Sequence, residues 1–464
     1  MTVTLDVLRR LSAVVGERWV RTAEAELETY AADALATQRR RPAAVVIPGT
    51  VDEVMRVVGV LAASDVPFVA RGAGTGLSGG AIAGPESVLI VLTRLNRILE
   101  IDAINRRAVV EAGAVNVRLS AATARLGLQY APDPASQTVC TIGGNVAENA
   151  GGPHCLKYGV TTNHILALDV VLPDGSLATL GSPSGEAWGP DLVGLFVGSE
   201  GMFGIAVRVT VRLTPVPSAV QTLLADFDSI QQAGQAVSDI IRQGIVPAAM
   251  EIMDANCIRA VEASIYAAGY PTEAAAILLV ELDGPHETPL LEEAANIERA
   301  LRAAGARSIL SASDEATRTR LWHGRKKAFG ALGRIDRDLI VQDAVVPRSA
   351  LPDVLDRVVQ IAREHRVSVA NFFHAGDGNL HPNISFNAED PEEAERVDQA
   401  AAAMMRVCVE AGGTITGEHG VGLDKIKLMP LIFDAMTLNA MRDVARAFDP
   451  HGLANPGKVL PPAP

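Results

Sequence analysis

Three glycine-rich segments in the first half of the chain constrain its fold more than any other feature. They are RGAGTGLSGG at 71–80, TIGGNVAENAGGP at 141–153 and GSEGMFG at 198–204. Glycine has no Cβ atom, so its backbone can approach a ligand closely, and successive N–H groups can form a nest for an anion. A single segment of this kind is equally well explained as a flexible surface loop. Three of them in one half of the chain indicate a backbone-lined slot for a large, flat ligand that carries phosphate.

The first segment contains G-x-G-x-x-G at 74–79, but this pattern does not indicate a Rossmann fold. In that fold a helix begins directly after the glycine loop, and its N-terminus binds the pyrophosphate. Here the loop continues into Ala-Ile-Ala-Gly-Pro at 81–85, which cannot extend a regular helix far. Arg71, directly before the loop, adds a positive charge that favours phosphate.

Hydrophobic periodicity predicts strands and helices on both sides of a boundary marked by proline. Thr50 and Glu53 form a capping box before a helix with one apolar face. The turn at 173–175, Pro-Asp-Gly, predicts a hairpin between two apolar strands. After Pro215, residues 220–430 alternate strands with long helices, which predicts a sheet covered on one face.

Two histidines lie on either side of a predicted tight turn. In FFHAGDGNLHPN at 372–383, the Asp-Gly pair is typical of a hairpin turn, so His374 and His381 can face each other across it. Two neighbouring imidazoles suit a divalent metal such as Zn or Mn. By spacing alone, however, a hydrogen-bonded pair in a hairpin is the commoner explanation. Glu418 and His419 lie between glycines and, taken alone, fit an ordinary polar turn.

Arg325 lies in LWHGRKKAF at 321–329, for which we expect a short helix. An Arg-Lys-Lys run on a helix is usually a solvated face. A guanidinium fork is nevertheless well shaped to bind a carboxylate, so Arg325 is also a candidate for ligand binding.

Composition argues against several classes of function. A net charge of −13 disfavours binding to a phosphate backbone, and 4% aromatic residues offer few stacking surfaces for single strands. The four cysteines form no C-x-x-C pair, which argues against an iron–sulfur cluster or a structural zinc site. The N-terminus is not a typical signal peptide, and no apolar run is long enough to span a membrane. We expect a cytoplasmic protein, with peripheral attachment at the inner face of the membrane left open.

Together the glycine-rich segments resemble the FAD-binding domain of the vanillyl-alcohol oxidase superfamily. The likeness covers roughly residues 40–215 and adds P-x-x-V-x-x-V before the first loop. It implies that residues 71–80 hold the pyrophosphate and that 132–152 and 199–205 surround the flavin. Some members attach FAD covalently through a histidine where this chain has Thr75, so non-covalent FAD is implied. The implied cofactor-binding residues are Arg71, Gly72, Ala73, Gly74, Thr75, Gly76, Leu77, Ser78, Pro132, Thr138, Gly143, Gly144, Asn149, Gly151, Gly152, Glu200, Gly204, Ile205 and Asn455.

The second half resembles the C-terminal domain of FAD-linked 2-hydroxy acid dehydrogenases. The segments that carry the likeness are HAGDGNLHPN, GEHGVG and NPGKVLP at 374–383, 417–422 and 455–461. The group includes D-lactate, D-2-hydroxyglutarate and glycolate dehydrogenases, and the likeness is greatest to the glycolate oxidase FAD subunit. It implies a metal site, a catalytic base and two substrate-binding residues: His374, His381 and Glu418 as metal ligands, His419 as base, Arg325 and Asn383 at the substrate.

A short substrate is expected because Phe329 and the stretch DLIVQD at 338–343 offer few polar groups for a second carboxylate. We therefore expect FAD-dependent oxidation of glycolate or D-lactate to the 2-oxo acid. Hydride would pass to flavin N5 while His419 takes the hydroxyl proton with help from the metal. A carbanion route, in which His419 removes the C2 proton, stays open.

The expected fold class is α+β, with a two-lobed FAD-binding domain of the vanillyl-alcohol oxidase type and an α+β, ferredoxin-like cap. We expect the FAD-binding domain at 1–215, the substrate domain at 216–430, and a C-terminal helical segment at 431–464 that returns to the FAD domain.

Two other functions are considered. One is a non-catalytic or electron-transfer flavin subunit of a glycolate oxidase-like complex. The other is a metal-dependent hydrolase, which leaves the glycine-rich segments unexplained. The resemblance implies companion flavin and iron–sulfur subunits or another electron acceptor, because this chain lacks the cysteine spacing of a cluster.

Overall fold

The computed structural model describes residues 3–35, 37–185, 189–312, 314–335 and 337–463. The chain divides into two compact units, each with its own sheets. The first unit is drawn from Met1–Gly152, Gly159–Val216 and Glu418–Pro464, and the second from Pro153–Tyr158 and Pro217–Gly417. The second unit is therefore formed by one long insertion and one short segment.

Helix starts follow the capping pattern of the sequence. Thr50 Oγ1 accepts a hydrogen bond from Glu53 N at 3.1 Å, as predicted, whereas the Glu53 carboxylate accepts from Gly49 N at 2.6 Å.

No helix in the described ranges is both long and apolar enough to cross a bilayer. The helices are α1 (Leu5–Val15), α2 (Glu24–Glu28), α3 (Val51–Ala62), α4 (Asn116–Thr123), α5 (Ile142–Glu148), α6 (Cys155–Tyr158), α7 (Leu192–Phe196), α8 (Ile230–Arg242), α9 (Ala255–Glu262), α10 (Glu287–Ala303), α11 (Glu315–Leu332), α12 (Leu351–Glu364), α13 (Pro391–Glu410) and α14 (Ala435–Phe448).

The strands form two principal sheets in the first unit and a large antiparallel sheet in the second. They are β1 (Val20–Arg21), β2 (Ala44–Val46), β3 (Phe68–Arg71), β4 (Val88–Val91), β5 (Ile98–Asp102), β6 (Arg107–Glu111), β7 (Leu128–Gln129), β8 (Ile165–Val171), β9 (Leu177–Gly181), β10 (Ile205–Arg212), β11 (Thr214–Pro215), β12 (Ala219–Phe227), β13 (Ala249–Asp254), β14 (Ala276–Gly284), β15 (Ser308–Ala312), β16 (Asp338–Val341), β17 (Ala344–Val345), β18 (Ser368–His374), β19 (Asn379–Leu380) and β20 (Pro382–Phe386).

In the first unit, one sheet has the order β1-β2-β4-β3, with β4 parallel to both β2 and β3. The predicted apolar face of α3, with Val54, Val57 and Leu61, is fully buried in the same core as Ala44 and Val88. The other sheet, β5-β6-β10-β8-β9, is antiparallel. Its β8–β9 turn is the hairpin predicted at 173–175.

The sheet of the second unit is buried on both faces along its central strands, contrary to the expected single covered face. Consecutive residues of β13, from Met250 to Met253, are all buried, and successive residues of a strand point to opposite faces. Helices α9 and α11 cover the face that carries Ala249, Met253 and Leu279. The prediction was wrong because β12, β13 and β14 carry apolar residues on both faces rather than on alternate positions only.

Two local structures differ from those expected. Residues 142–148, inside the second glycine-rich segment, form helix α5, and Thr141 Oγ1 caps it by accepting from Gly144 N at 3.2 Å. Helix α11, expected to be short, runs for 18 residues because Asp314 caps it well before Trp322. In both cases the N-cap side chain sets the start of the helix.

The segment at 372–383 turns as predicted, but its register is different. His374 pairs with Asn379, and β20 returns beside β18 with Asn371 opposite Pro382. The rings of His374 and His381 still meet edge to face, with centroids 5.3 Å apart.

Substitution of Gly378 by alanine tests the structure of this turn. Its φ is +81°, and a Cβ atom would overlap the Val346 carbonyl oxygen. We expect Gly378→Ala to lower the free energy of unfolding by more than about 2 kcal/mol, since strain and overlap add. The measurement is urea unfolding.

The matched control is Gly244→Ala. Gly244 has φ +80° but nothing within 4 Å of the added Cβ, so only the backbone strain of about 1 kcal/mol is expected. Equal losses in the two variants would contradict the overlap at position 378.

Candidate functional site

The three glycine-rich segments converge within the first unit. A Cβ atom on Gly72 would overlap Thr141 Oγ1, so the first loop lies directly against the cap of α5. The third segment joins the same helix, since Gly198 N donates to Val146 O at 2.9 Å and Glu200 N donates to Ala147 O at 2.8 Å. The sequence prediction that these segments share one location agrees with these contacts.

The first loop follows β3 and remains irregular, with no helix directly after it, as the sequence predicts. Residues 72–77 are half-buried and residues 78–80 are buried. Arg71 Nη1 donates to Ala32 O at 2.8 Å, which fixes the guanidinium near the start of the loop. Burial lowers the pKa of Arg71, and the nearby Asp33 opposes this shift.

The other predicted cofactor-binding residues have varied surroundings. Gly143 N donates to Ala112 O at 2.7 Å, and Gly152 lies against the backbone of Asp133, next to Pro132. Asn149 ends α5, and its Oδ1 accepts from Thr162 N at 2.9 Å. Thr138 differs from the rest because it lies on an exposed turn.

All the predicted cofactor-binding residues belong to the first unit. They are Arg71, Gly72, Ala73, Gly74, Thr75, Gly76, Leu77, Ser78, Pro132, Thr138, Gly143, Gly144, Asn149, Gly151, Gly152, Glu200, Gly204, Ile205 and Asn455.

The C-terminal part of the chain returns to the glycine-rich segments. Asn455 Nδ2 donates to the carbonyl oxygens of Gly80 and Glu200. The Glu200 carboxylate accepts from Val421 N at 2.7 Å and Gly422 N at 2.8 Å. The loop that carries Glu418 and His419 is therefore held against the first and third glycine-rich segments.

Lys458 is a buried cation that the sequence analysis did not assign. Its Nζ donates to Gly80 O at 2.8 Å and also to Asn455 Oδ1. Burial lowers its pKa to about 8, although the carboxylates of Asp33, Glu200 and Glu148 oppose the shift. Burial also raises the pKa of Glu148, as does the neighbouring Glu200. The sequence signal for a buried lysine was its position between Asn-Pro-Gly and the apolar residues Val459 and Leu460.

Several buried polar atoms near the segments have no hydrogen-bond partner among the described residues. They include Ser78 Oγ, Ser199 Oγ and Glu148 Oε2. An unsatisfied buried polar group costs about 1–3 kcal/mol, so a polar ligand there would be favourable. The half-buried glycine loop and these groups fit FAD.

In the second unit, each of the two histidines is oriented through Nδ1. His374 Nδ1 hydrogen-bonds to Glu251 Oε1 at 2.8 Å, and His381 Nδ1 to Gln342 O at 3.2 Å. Because a carboxylate and a carbonyl can only accept, Nδ1 of each ring donates, which leaves Nε2 as the atom through which either imidazole can bind a metal. Histidines that bind a metal are commonly oriented in this way, so the pair fits a divalent metal.

Arg325 is buried on α11 and ion-paired with Glu251. Its guanidinium carbon lies 4.9 Å from the centroid of the Phe372 ring. Its Nε is buried and has no hydrogen-bond partner among the described residues. Arg325 is therefore a desolvated cation on a fixed helix, not part of a solvated face.

Asn383 and Asp343 lie beside the histidine pair. Asn383 Nδ2 donates to His381 O at 2.6 Å, and its Oδ1 has no hydrogen-bond partner in the described ranges. Asp343 is fully buried, and its Oδ1 is 3.8 Å from His381 Nδ1. The stretch 338–343 therefore contributes a polar group that the sequence analysis overlooked.

The second unit thus brings together His374, His381, Arg325 and Asn383, while Glu418 and His419 belong to the first unit. The sequence analysis missed Glu251 and Asp343. Glu251 lies among apolar residues in β13, and Asp343 lies between Gln342 and the apolar pair of β17. A carboxylate buried in such surroundings requires a partner.

Two family models match the chain. The model for FAD linked oxidases, C-terminal domain, matches residues 216–459, and the model for an FAD binding domain matches residues 42–181. The chain belongs to the FAD-linked oxidase family. FAD is therefore the cofactor of this FAD-linked oxidase, as predicted.

Several named proteins are similar to this FAD-linked oxidase over nearly its whole length. Glycolate oxidase subunit GlcD of Escherichia coli (strain K12) is 48% identical, over 94% of this chain and 87% of that protein. The GlcD subunit of Bacillus subtilis (strain 168) is 39% identical, over 99% and 97%. A D-lactate dehydrogenase of Anaerostipes hadrus is 33% identical, over 91% and 90%. The resemblance to this group of enzymes is confirmed.

Solved structures confirm the fold class. p-Cresol methylhydroxylase superposes with a TM-score of 0.84 at 16% identity, covering 98% of this chain and 96% of its own. 4-Ethylphenol oxidase from Gulosibacter chungangensis superposes with a TM-score of 0.78 at 20% identity, covering 98% and 97%. The α+β fold of this FAD-linked oxidase is therefore that of flavoproteins of the vanillyl-alcohol oxidase type.

The depressed pKa of Lys458 predicts a pH dependence of stability. Between the folded pKa of about 8 and the ordinary value of 10.5, the unfolded chain binds a proton that the folded protein does not. The penalty is full below pH 8, and the free energy of unfolding should gain up to about 3 kcal/mol as pH rises through this window.

Urea unfolding between pH 7.5 and 10.5 measures this effect in wild type and in Lys458→Met. The variant lacks the titrating group, so its stability should gain less over the same range. Equal gains in the two proteins would show that Lys458 is not responsible.

Proposed function

We propose that this FAD-linked oxidase oxidises glycolate or D-lactate to the corresponding 2-oxo acid. The observation that carries the proposal is the buried cluster of Arg325, Glu251 and His374. It places a desolvated guanidinium, suited to a carboxylate, beside an imidazole oriented to bind a metal. The names of the relatives, glycolate oxidase subunit and D-lactate dehydrogenase, support the same class of substrate.

The glycine-rich segments hold FAD in this proposal, and Thr75 leaves it non-covalently bound. FAD, when bound, supplies an acceptor for the hydride that leaves C2. The residues around it keep their own tasks: Arg71 and the loop 72–80 bind phosphate through charge and backbone N–H groups, and Asn455 keeps the first and third segments together.

Substrate binding is assigned to Arg325 and Asn383. A guanidinium has five N–H donors, more than Glu251 can accept, so Arg325 can also bind the carboxylate of the acid. Asn383 Oδ1 offers an acceptor that positions the substrate hydroxyl on binding. The single hydroxyl proton then leaves this hydrogen bond and passes to His419, the general base, as the alkoxide forms.

A divalent metal, Zn or Mn, would supply Lewis-acid chemistry that lowers the pKa of the substrate hydroxyl. His374 and His381 would hold it through Nε2, because Nδ1 of each ring is engaged by the protein. The assignment of Glu418 as the third ligand, and of His419 as base, rests on the sequence motif.

Electrons must leave the reduced cofactor after each turnover. Two relatives are named as subunits, so we propose companion flavin and iron–sulfur subunits, or another electron acceptor, for this chain. A cytoplasmic location with attachment at the inner face of the membrane fits the proposal. A flavin subunit that only transfers electrons would leave the buried Arg325 and His374 unexplained.

Anaerobic titration of the yellow protein tests the substrate. We expect glycolate or D-lactate to bleach the flavin absorbance, whereas D-2-hydroxyglutarate should not, because the described neighbours of the Arg325 and histidine cluster named above, Glu251, Asp343 and Asn383, supply no cation for its second carboxylate. L-Lactate tests whether the configuration at C2 matters. A flavin that none of the four acids reduces, with Zn or Mn added, would contradict the proposal and favour the electron-transfer subunit.

His419→Ala tests the catalytic base. The variant should still bind the acid, seen as a shift of the flavin spectrum, but reduce the flavin about 10²–10⁴ times more slowly. His451→Ala is the control, since this histidine is exposed near the C-terminus. Reduction of the His419 variant at the wild-type rate would show that another group takes the proton.

A further inference from the structure

Glu251 lies at the centre of the second unit and has no exposed surface. Its strand, β13, carries the sequence AMEIMD, in which it is the only charge before the terminal Asp254. The register places Glu251 opposite His374 on β18 and Leu279 on β14. A carboxylate in this position requires donors that compensate for the loss of water.

One hydrogen-bond donor and one cation reach Glu251 from different elements. His374 Nδ1 donates to Oε1 at 2.8 Å, and Arg325 Nη2 forms an ion pair with Oε2, an atom that accepts no hydrogen bond from the described residues. One carboxylate therefore joins a histidine predicted to bind the metal and the arginine predicted to bind the substrate carboxylate.

Only a carboxylate can satisfy both neighbours. His374 requires an accepting oxygen and Arg325 requires a negative charge, and a carboxylate supplies both. A glutamine has one accepting oxygen and one NH₂ group, so either His374 or Arg325 would face another donor. Water cannot replace either lost contact, because the side chains of His374 and Arg325 are both buried.

We propose that Glu251 is a positioning residue that fixes the tautomer of His374 and the orientation of Arg325, and so couples metal binding to substrate binding. This inference rests on the proposed function, in which the metal and the carboxylate of the acid bind at these two side chains. It predicts that one substitution at Glu251 weakens both.

Glu281 provides a matched control. It lies on the adjacent strand β14, opposite Ala249, and therefore on the same face of the sheet as Glu251. It accepts from Trp322 Nε1, three residues before Arg325 on α11, and from Thr222 Oγ1. It is hydrogen-bonded to His154 instead of His374. Glu281→Gln thus changes a carboxylate that lies on the same sheet and contacts the same helix, without removing a contact of His374 or Arg325.

The experiment compares wild type, Glu251→Gln and Glu281→Gln as FAD-loaded proteins. Zn²⁺ affinity is measured by competition with a chelating dye, and KM and kcat are measured with glycolate and D-lactate. For Glu251→Gln we expect Zn²⁺ affinity to fall about 10–100-fold and KM to rise at least about tenfold, as expected when a charge-assisted contact is lost. For Glu281→Gln both should stay close to wild type.

A Glu251→Gln protein with wild-type Zn²⁺ affinity and wild-type KM would overturn the inference. So would an equal change in both variants, because a general loss of sheet packing would then explain the result.

Failure of the proposed function has a different signature: wild type itself would bind neither Zn²⁺ nor Mn²⁺, and no acid would reduce it. The inference is then decided on metal-free protein with ¹⁵N-labelled histidine and arginine, by comparing wild type with Glu251→Ala. We expect the His374 proton to shift from Nδ1 toward Nε2 and the Arg325 Nε resonance to move. Unchanged resonances would overturn the inference, whatever the substrate.

Discussion

The buried ion pair between Glu251 and Arg325 is the interaction on which the second unit depends. Removing a charge from water costs several kcal/mol, and the cost is recovered only when its partners have good geometry. Helix α11 must therefore pack with Arg325 over β13, and strand β18 must present His374 in register with Glu251. The positions of Arg325 and His374, the two proposed functional side chains, therefore follow from the need to compensate the buried charge of Glu251.

The first unit depends on backbone contacts instead. Its glycine-rich segments come together where side chains would collide, as at Gly72 against Thr141. Asn455 and Glu200 then tie the C-terminal part of the chain to the loop backbone. A ligand site lined by backbone needs such ties, because glycine has no side chain with which to pack. This explains why residues distant in sequence return to the first unit.

Local signals in the sequence predicted local structure well. The cap at Thr50, the hairpin at 173–175 and the turn at Gly378 each depend on residues within a few positions. Glu251 was missed because its partners are 74 and 123 positions away, and no local pattern reports such pairing. The double coverage of the sheet did have a local signal, since β14 begins with the consecutive apolar residues AILLV, a pattern typical of a strand buried on both faces.

The pairing of Arg325 with Glu251 bears on what the site can bind. A carboxylate already beside the guanidinium reduces the local positive charge, so a second carboxylate gains less from Coulomb attraction than at an isolated arginine. Affinity for an acid must then come from directed hydrogen bonds to the remaining N–H groups and from nearby polar groups such as Asn383 Oδ1. A site of this kind selects by geometry rather than by charge. In the proposed function, an acid with its hydroxyl next to the carboxylate would meet that geometry, whereas an anion of equal charge without the hydroxyl would leave the buried amide oxygen unsatisfied.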